Sequence, residues 1–419
     1  MKYCAFTIVA KNYIGLAQIL GISLQRLNPA IDFKIFVADE FLECQQDIPA
    51  NIIMAKSIAP YSEQEWNDMA FKYDLTEFCT CIKPMCFHHL MEQGYEKVLY
   101  FDPDIYIFSP VDEILNRLDQ YDMTLTPQIA GIHPIYSGEH PEWAMNVNGI
   151  FNLGFCGMRN NSTTRTIINW WLERLKDNCF ADRSTGNFTD QKWMDWMPGF
   201  LGSESLYVFH NLGMNMAPWN YFERELYMEG DTIMVKYRTD DNPQRSDKLV
   251  FIHFAGYDYQ KMKQGVISRK RIENLKEYPD LELATSIYRD AIVKQRDLFD
   301  VFIKQSYSYD TYDNGKHIAA FHRRLYHGSV EFHHTNPFST QYGSFYDAIR
   351  KKGMIINEKL DHVSRNNIQS LEKKKNMIAL LYKTLYLIMG YKRYVLFVKS
   401  LYFYCRPELH TFLIKHNKK

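Results

Sequence analysis

From Tyr3 to Thr126 short apolar runs of β type alternate with segments of helical apolar spacing. Tyr3–Val9 reads as a strand, Ile14–Leu27 as a helix stopped by Asn28-Pro29, and Phe33–Val37 as a second strand ending in Ala38-Asp39-Glu40. Leu75–Gln93 reads as one helix closed by Gly94, Val98–Phe101 as a buried strand, Val111–Leu118 as a helix and Met123–Thr126 as a strand. Parallel strands need a crossover between them, usually a helix. The alternation therefore specifies an α/β chain with a mostly parallel sheet flanked by helices. In such sheets ligands sit beyond the carboxyl ends of the strands, so the residues that follow each strand are the ones to inspect.

Residues 131–149 carry His, Pro, Gly and Trp without periodicity and read as a long ordered loop. Phe151–Met158 is a strand, Thr164–Lys176 a helix, and Leu249–Phe254 a last core strand ending near His253. After Gly265 the pattern is mostly helical, giving a division into 1–264, a helical appendage over 265–359 and a tail over 360–419. Apolar residues make up 46% of the 419 and charged ones 23%, enough to bury a sizeable core. Lys+Arg and Asp+Glu both number 49, which argues against a globally basic nucleic-acid binder. The balance conceals an asymmetry: residues 360–419 hold 12 Lys/Arg against 3 Asp/Glu, a net of +9, leaving −9 elsewhere. Met377 to Cys405 is aromatic and aliphatic, punctuated by Lys383, Lys392, Arg393 and Lys399, the chemistry of a segment that lies on an anionic membrane surface. A closing helix packed on the core is the plainer alternative.

Cys79, Cys81 and Cys86 lie close together without a second pair at zinc-finger spacing, so buried reduced thiols are expected rather than a metal cluster. Met1 to Ala10 lacks the pattern of a secretory signal. The expected location is cytoplasmic, with the tail at the inner face of the membrane. His327, His333 and His334 stand between Tyr312-Asp313-Asn314-Gly315 and Asn336-Pro337-Phe338 at no zinc-module spacing, and loop histidines are the expectation.

The feature with the clearest chemistry is Tyr100-Phe101-Asp102-Pro103-Asp104, two carboxylates one residue apart at the end of an apolar strand. Alternate residues of an extended segment point the same way, so Asp102 and Asp104 could approach one cation. Hard divalent ions take carboxylate oxygens and often complete their shell with phosphate. Asp-Pro-Asp is also good turn chemistry.

These residues resemble the strand and Asp-x-Asp motif of GT-A-fold glycosyltransferases, most closely those of glycosyltransferase family 8. The resemblance runs in order along residues 1–260. Asn12-Tyr13 is similar to the Asn-Tyr of the nucleotide-binding turn, and Lys83 to a basic position near the donor phosphates. Phe151-Asn152-Leu153-Gly154 resembles the Phe-Asn-x-Gly strand, and Asp190-Gln191 the pair that opens a helix at the sugar site. His253-Phe254-Ala255-Gly256 resembles the His-Phe-x-Gly motif whose histidine completes the metal shell. Gly149 to Arg159, Asp190 to Trp193 with Pro198, Gly213 to Arg224 and His253 to Asp258 also resemble bacterial surface-polysaccharide glycosyltransferases.

The resemblance implies a hexosyltransferase that uses a nucleotide-sugar, with Mn²⁺ or Mg²⁺ held by Asp102, Asp104 and His253. It implies catalytic roles for Asp190, Gln191 and Asn152, donor contacts from Ala10, Asn12, Tyr13, Lys83, Gly256 and Lys261, retention of anomeric configuration, and a saccharide or lipid-linked acceptor; Asp39, by its place after the second strand, is a further candidate for contact with the base. Two positions depart from it. Family 8 has an aspartate that reads the base where this chain has Ala10, and its lysine after His-Phe-x-Gly is displaced, leaving Lys261 or Lys263 for the diphosphate. The residues alone carry plainer readings too: Asn152 as a satisfied core amide, Asp190 as a helix N-cap, Asp39 as a cap and Trp219 as core. Two other functions remain open. A sugar nucleotidyltransferase would carry a Gly-rich loop that Val9-Ala10-Lys11-Asn12-Tyr13 lacks, and a non-catalytic carbohydrate-binding protein would not need the three metal-type residues together.

Overall fold

The computed structural model describes residues 2–41, 48–238, 245–269, 277–297, 306–356 and 371–414. The chain divides into two compact units, Met1–Pro60 with Leu75–Ser308, and Tyr61–Asp74 with Tyr309–Lys419.

In the first unit β1 (Tyr3–Val9) leads through α1 (Ile14–Leu27) to β2 (Ile31–Val37) and β3 (Ile52–Met54). α1 ends where the sequence predicts, because Asn28 turns its amide back onto the Leu24 carbonyl at 3.0 Å and Pro29 disfavours helix in the residue before it. α2 (Glu63–Lys72) belongs to the second unit. α3 (Leu75–Cys81) and α4 (Lys83–Glu92) replace the single helix expected over 75–93. Pro84 forces the break, being acceptable in a first turn and not in a helix interior. There follow β4 (Lys97–Phe101), β5 (Ile105–Ile107), α5 (Asp112–Gln120), β6 (Met123–Pro127), α6 (Glu142–Asn148), β7 (Phe151–Arg159) and α7 (Ser162–Asn178). α6 lies within what the sequence presents as loop. β8 (Ala181–Asp182) and β9 (Asn187–Phe188) form a small hairpin ahead of α8 (Met197–Ser205) and β10 (Leu206–Val208).

The central sheet has seven strands in the order β10-β6-β7-β4-β1-β2-β3. All run parallel except β7, which is antiparallel to both neighbours. The expectation of a mostly parallel α/β sheet holds. β4 is buried at every residue and β1 at all but one, as strands covered by helices on both faces must be. β11 (Arg224–Glu229), β12 (Thr232–Tyr237) and β13 (Ser246–Lys248) form a separate three-stranded sheet. β14 (Phe251–His253) is not a core-sheet strand, as the sequence suggests, but pairs antiparallel with β5. α9 (Tyr259–Lys263) and α10 (Glu282–Lys294) close this unit. Leu281, Ala284, Tyr288 and Ile292 pack with Tyr106, Ile252 and Phe254, so residues 277–297 belong to the α/β unit rather than to an appendage.

The second unit packs Phe71 of α2 with Tyr312, Leu325, Tyr326, Phe345 and Ile349. Buried Arg323 joins the two stretches of chain, donating to the carbonyls of Phe71 at 2.8 Å, Tyr73 at 2.9 Å and Tyr309 at 2.8 Å. His333 Nε2 donates to the Tyr326 carbonyl at 3.0 Å, and among the described residues the histidines here form no metal-type cluster. Leu371–Tyr404 is helical with a break at Gly390, whose φ of 70° and ψ of 167° lie outside the helix. Tyr386 and Tyr394 have ring centroids 5.4 Å apart across that break. Eight residues of straight helix would separate them by about 12 Å, so the segment doubles back as a hairpin. Among the described residues no helix is long and apolar enough to cross a membrane.

Candidate functional site

The turn after β4 is fixed from two sides. The Asp102 amide donates to the Gly154 carbonyl of β7 at 2.8 Å, and the Phe254 amide, after β14, donates to the Asp104 carbonyl at 2.8 Å. Ile105 N–H reaches back to the Asp102 carbonyl at 3.1 Å, closing a tight turn. Asp102 and Asp104 therefore meet through a turn and not along an extended segment, so the turn reading and the cation reading describe one arrangement. The β5–β14 ladder pairs Ile105 with His253 and delivers the imidazole to the carboxylates.

One ligand atom from each of Asp102, Asp104 and His253 lies within 4.8 Å of the others. His253 Nε2 is 3.0 Å from Asp104 Oδ1 and 3.6 Å from Asp102 Oδ2. Burial opposes charge on His253, but Asp104 outweighs it and raises the imidazole's affinity for a proton. Burial likewise pushes the Asp104 carboxyl up, and the His253 imidazole overcomes this to hold it below the ordinary range. Two carboxylates and an imidazole converging in this way fit a divalent cation.

Neighbouring groups hold the ligands in position. Tyr100 donates its hydroxyl to Asp102 Oδ1 at 2.5 Å, and burial beside Asp102 pushes that phenol far up, so it remains a donor. Tyr259 donates to Asp104 Oδ2 at 3.3 Å. Only glycine fits at position 154, because a Cβ there would stand 2.5 Å from the His253 ring and 2.8 Å from Asn152 Oδ1. Trp219 packs edge-on against His253 with centroids 5.2 Å apart and is mostly buried with Met145 and Ala217.

A second cluster adjoins through β7. Lys83 donates to the Leu153 carbonyl at 2.9 Å, lies 4.0 Å from the Tyr100 ring centroid, and pairs with buried Asp190. Burial raises the Asp190 carboxyl against the pull of Lys83. Asp190 makes no side-chain cap on the short helix Gln191–Trp196, so its role is not that of an N-cap. Thr189 before it has φ of 47°, a left-handed conformation that a β-branched residue adopts only where the surroundings impose it. Gln191 Oε1 accepts from Asn152 Nδ2 and from the Leu153 amide, both at 3.2 Å. Asn152 Oδ1 accepts from Gly154 N–H and from Asn215 Nδ2, both at 3.1 Å.

A cavity of about 280 Å³ opens against the carboxylates, with Val9, Ala10, Tyr13, Thr76, Cys79 and Tyr259 among its walls. Asn12 Oδ1 is buried with no hydrogen-bond partner among the described residues. Asp39, Lys261 and Gly256 are not among the cavity's walls. Asp39 is engaged by Lys11, accepting from its amide at 2.8 Å and its ammonium at 3.0 Å, and by the Ser308 amide at 3.1 Å. Lys261 is exposed, with its ammonium 3.4 Å from Ser268 Oγ, and Gly256 forms a turn at φ of 78°. Tyr259, Tyr100 and Asn215 are site residues that the sequence reading passes over. The one available signal was Asp258, which caps α9 by accepting from Gln260 and Lys261 and so aims Tyr259 at Asp104.

No protein-family profile matches the chain. An uncharacterized protein, YfnF of Bacillus subtilis (strain 168), is 22% identical over 298 residues, 69% of this chain and 91% of that one. Among solved structures, the galactosyltransferase LgtC in complex with donor and acceptor sugar analogues is 13% identical, with 72% of this chain and 97% of that one covered and a TM-score of 0.37. Mouse xyloside xylosyltransferase 1 is 12% identical, over 61% and 98% of the two chains, at a TM-score of 0.36. The glycosyltransferase GlyE of Streptococcus pneumoniae TIGR4 is 12% identical, over 74% and 67%, at 0.34. With TM-scores this low, the functional reading rests on the site's own geometry.

Proposed function

We propose that this chain is a metal-dependent glycosyltransferase that moves a hexose from a nucleotide-sugar to a saccharide or lipid-linked acceptor. The observation that carries this reading is the convergence of Asp102, Asp104 and His253 at the edge of the cavity beside Ala10 and Tyr13. Mn²⁺ or Mg²⁺ held by these three residues would supply Lewis-acid stabilisation to a departing nucleoside diphosphate. Tyr100 and Tyr259 orient the two carboxylates. Ala10 and Tyr13 line the cavity at the end assigned to the nucleoside, and Asn12, between them in sequence, is the third contact proposed there. Uracil is the proposed base. Lys83 adds fixed positive charge next to the sugar end, where Asp190, Gln191 and Asn152 form a rigid polar network for sugar hydroxyls. Retention of configuration and a place in surface-polysaccharide synthesis are proposed from the family 8 resemblance. Asp39, held by Lys11, and Lys261, exposed beside Ser268, remain proposed donor contacts outside the walls of the cavity.

The hairpin Leu371–Tyr404 supports a peripheral attachment to an anionic membrane at its cytoplasmic face. Between Met377 and Tyr404 it carries Lys383, Lys392, Arg393 and Lys399 and no acidic residue, while Leu387, Ile388 and Tyr391 are more than 70% exposed.

The test is nucleotide-sugar hydrolysis with Mn²⁺ across UDP-, GDP-, CDP- and TDP-linked hexoses, alongside thermal shifts with the free diphosphates. UDP with Mn²⁺ should raise the midpoint most, because a ligand that binds only the native state stabilises it. A larger shift with another base would overturn the base assignment, and no hydrolysis with any donor would overturn the function.

A further inference from the structure

We propose that Trp196 and Phe200 form an aromatic shelf that binds the body of a saccharide chain, as a subsite of the acceptor. This rests on the glycosyl-transfer reading for its purpose and on its own geometry for its chemistry. Trp196 and Phe200 are 57% and 51% exposed, although large aromatic side chains gain most from burial. Their rings are 5.8 Å apart at 49°, and Phe200 rests edge-on against Trp170 at 5.2 Å. Trp170 in turn meets Trp193 at 5.8 Å, and Trp193 is anchored by its Nε1–H on the Asn178 carbonyl at 3.1 Å. Phe200 is thus held by Trp170, and Trp196 leans on Phe200 while both rings stay half exposed.

The groove above them measures about 480 Å³ and is walled by Lys192, Asp195, Trp196, Gly199 and Phe200. That falls within the roughly 300–1,000 Å³ of small-ligand sites. The space beside the Gly199 Cα is open, since a Cβ there would meet nothing within 4 Å. One wall is polar and preorganised: Lys192 Nζ is 2.7 Å from Asp195 Oδ2, and Asp195 Oδ1 accepts from Ile150 N–H at 2.9 Å. An apolar ligand would gain nothing from that ion pair. A pyranose suits both walls, with C–H faces for the rings and a rim of hydroxyls for the ammonium and carboxylate. The shelf is also continuous with the sugar-site network, because Gln191 and Trp196 share one short helix and Asp195 ties it to the residue before β7. A chain seated on the shelf lies along the segment that carries Gln191.

The experiment titrates the full-length chain with maltohexaose, cellohexaose and a β-1,4-galactohexaose, following tryptophan fluorescence. At least one probe should bind. Trp196→Ala and Phe200→Ala should each weaken it tenfold or more without changing the thermal midpoint, and Trp196→Phe should recover most of the affinity. Failure of all three probes to bind, or equal binding by Trp196→Ala, overturns the shelf. So does a concentration-dependent dimer that Trp196→Ala disperses, since that makes the rings a contact between copies. Donor hydrolysis by the unaltered chain is measured separately. Hydrolysis without probe binding overturns the shelf and leaves the function standing, whereas probe binding without hydrolysis does the reverse.

Discussion

The Asp102–Asp104–His253 cluster and the Leu371–Tyr404 hairpin break the same packing rule in opposite directions. Chains usually bury apolar groups and leave charge in water. The cluster withdraws charge: the His253 side chain is 7% exposed and that of Asp104 19%. The hairpin does the reverse, leaving Leu387 and Ile388 71% and 75% exposed. In the cluster two carboxylates face one imidazole, so negative charge is left over for a cation to neutralise. Between Met377 and Tyr404 of the hairpin four cations stand among apolar side chains without an acidic partner in that stretch, and an anionic lipid surface offsets both kinds of exposure. In each case the departure from ordinary packing identifies what the surface is built to meet.

The largest expected effect lies in the cluster. Asp104→Ala and His253→Ala should each lower donor hydrolysis by roughly 100-fold or more, at the upper end of what disturbing a metal site costs. A chelator should do the same to the unaltered chain, and circular dichroism should show the fold retained. Full activity of Asp104→Asn after chelation would remove the basis of the comparison. Gly154→Ala comes next. Its methyl would press on the His253 ring, so a loss of about 10- to 100-fold is expected with β7 intact. An unchanged apparent affinity for Mn²⁺ in this variant would show that the imidazole position does not matter.

The hairpin half of the comparison is tested by Lys392→Gln combined with Arg393→Gln. At about 1 kcal/mol per basic residue near an anionic surface, partition onto phosphatidylserine-containing vesicles should fall about 30-fold. Sedimentation measures it, and 1 M salt should mimic it in the unaltered chain as the Debye length shrinks to about 3 Å. Donor hydrolysis in solution should be unchanged. A chain that ignores such vesicles at low salt would show the hairpin to be covered by something other than lipid.

What the sequence makes legible follows from the range of the forces involved. The end of α1 is local, written in Asn28-Pro29, and the expected helix matches the observed one at both ends. The carboxylate turn was legible because an apolar strand interrupted by Asp-Pro-Asp has few uses. The direction of β7 was not, since a strand buried on both faces reads the same either way along. Asp39 looked available because its partner Lys11 stands 28 residues away, and only the β1–β2 pairing brings them together. The two-unit division was hidden for the same reason, as Arg323 reaches Phe71 and Tyr73 some 250 residues earlier. Tyr259 was missed because an aromatic residue at a helix start reads as packing, and its hydroxyl acquires meaning only from Asp104 across the site.

The smallest effect expected is the one that most sharpens the account of the cluster. Tyr100→Phe removes the hydroxyl that donates to Asp102 while keeping the ring that packs against Phe6 and lies beside Lys83. The Asp102 side chain is 28% exposed, so water can replace the lost donor. The net cost should be about 1 kcal/mol, a factor of roughly five. If Tyr100 acts by holding Asp102 toward a cation, that factor appears in the Mn²⁺ concentration giving half-maximal hydrolysis, and saturating Mn²⁺ restores the rate. If it acts on the donor, the loss persists at saturating metal and appears in the donor's KM. Restoration by metal links buried charge, its orienting hydrogen bond and the cation in one chain of cause. Persistence moves Tyr100 from the metal to the sugar side of the site, next to Lys83 and Asp190.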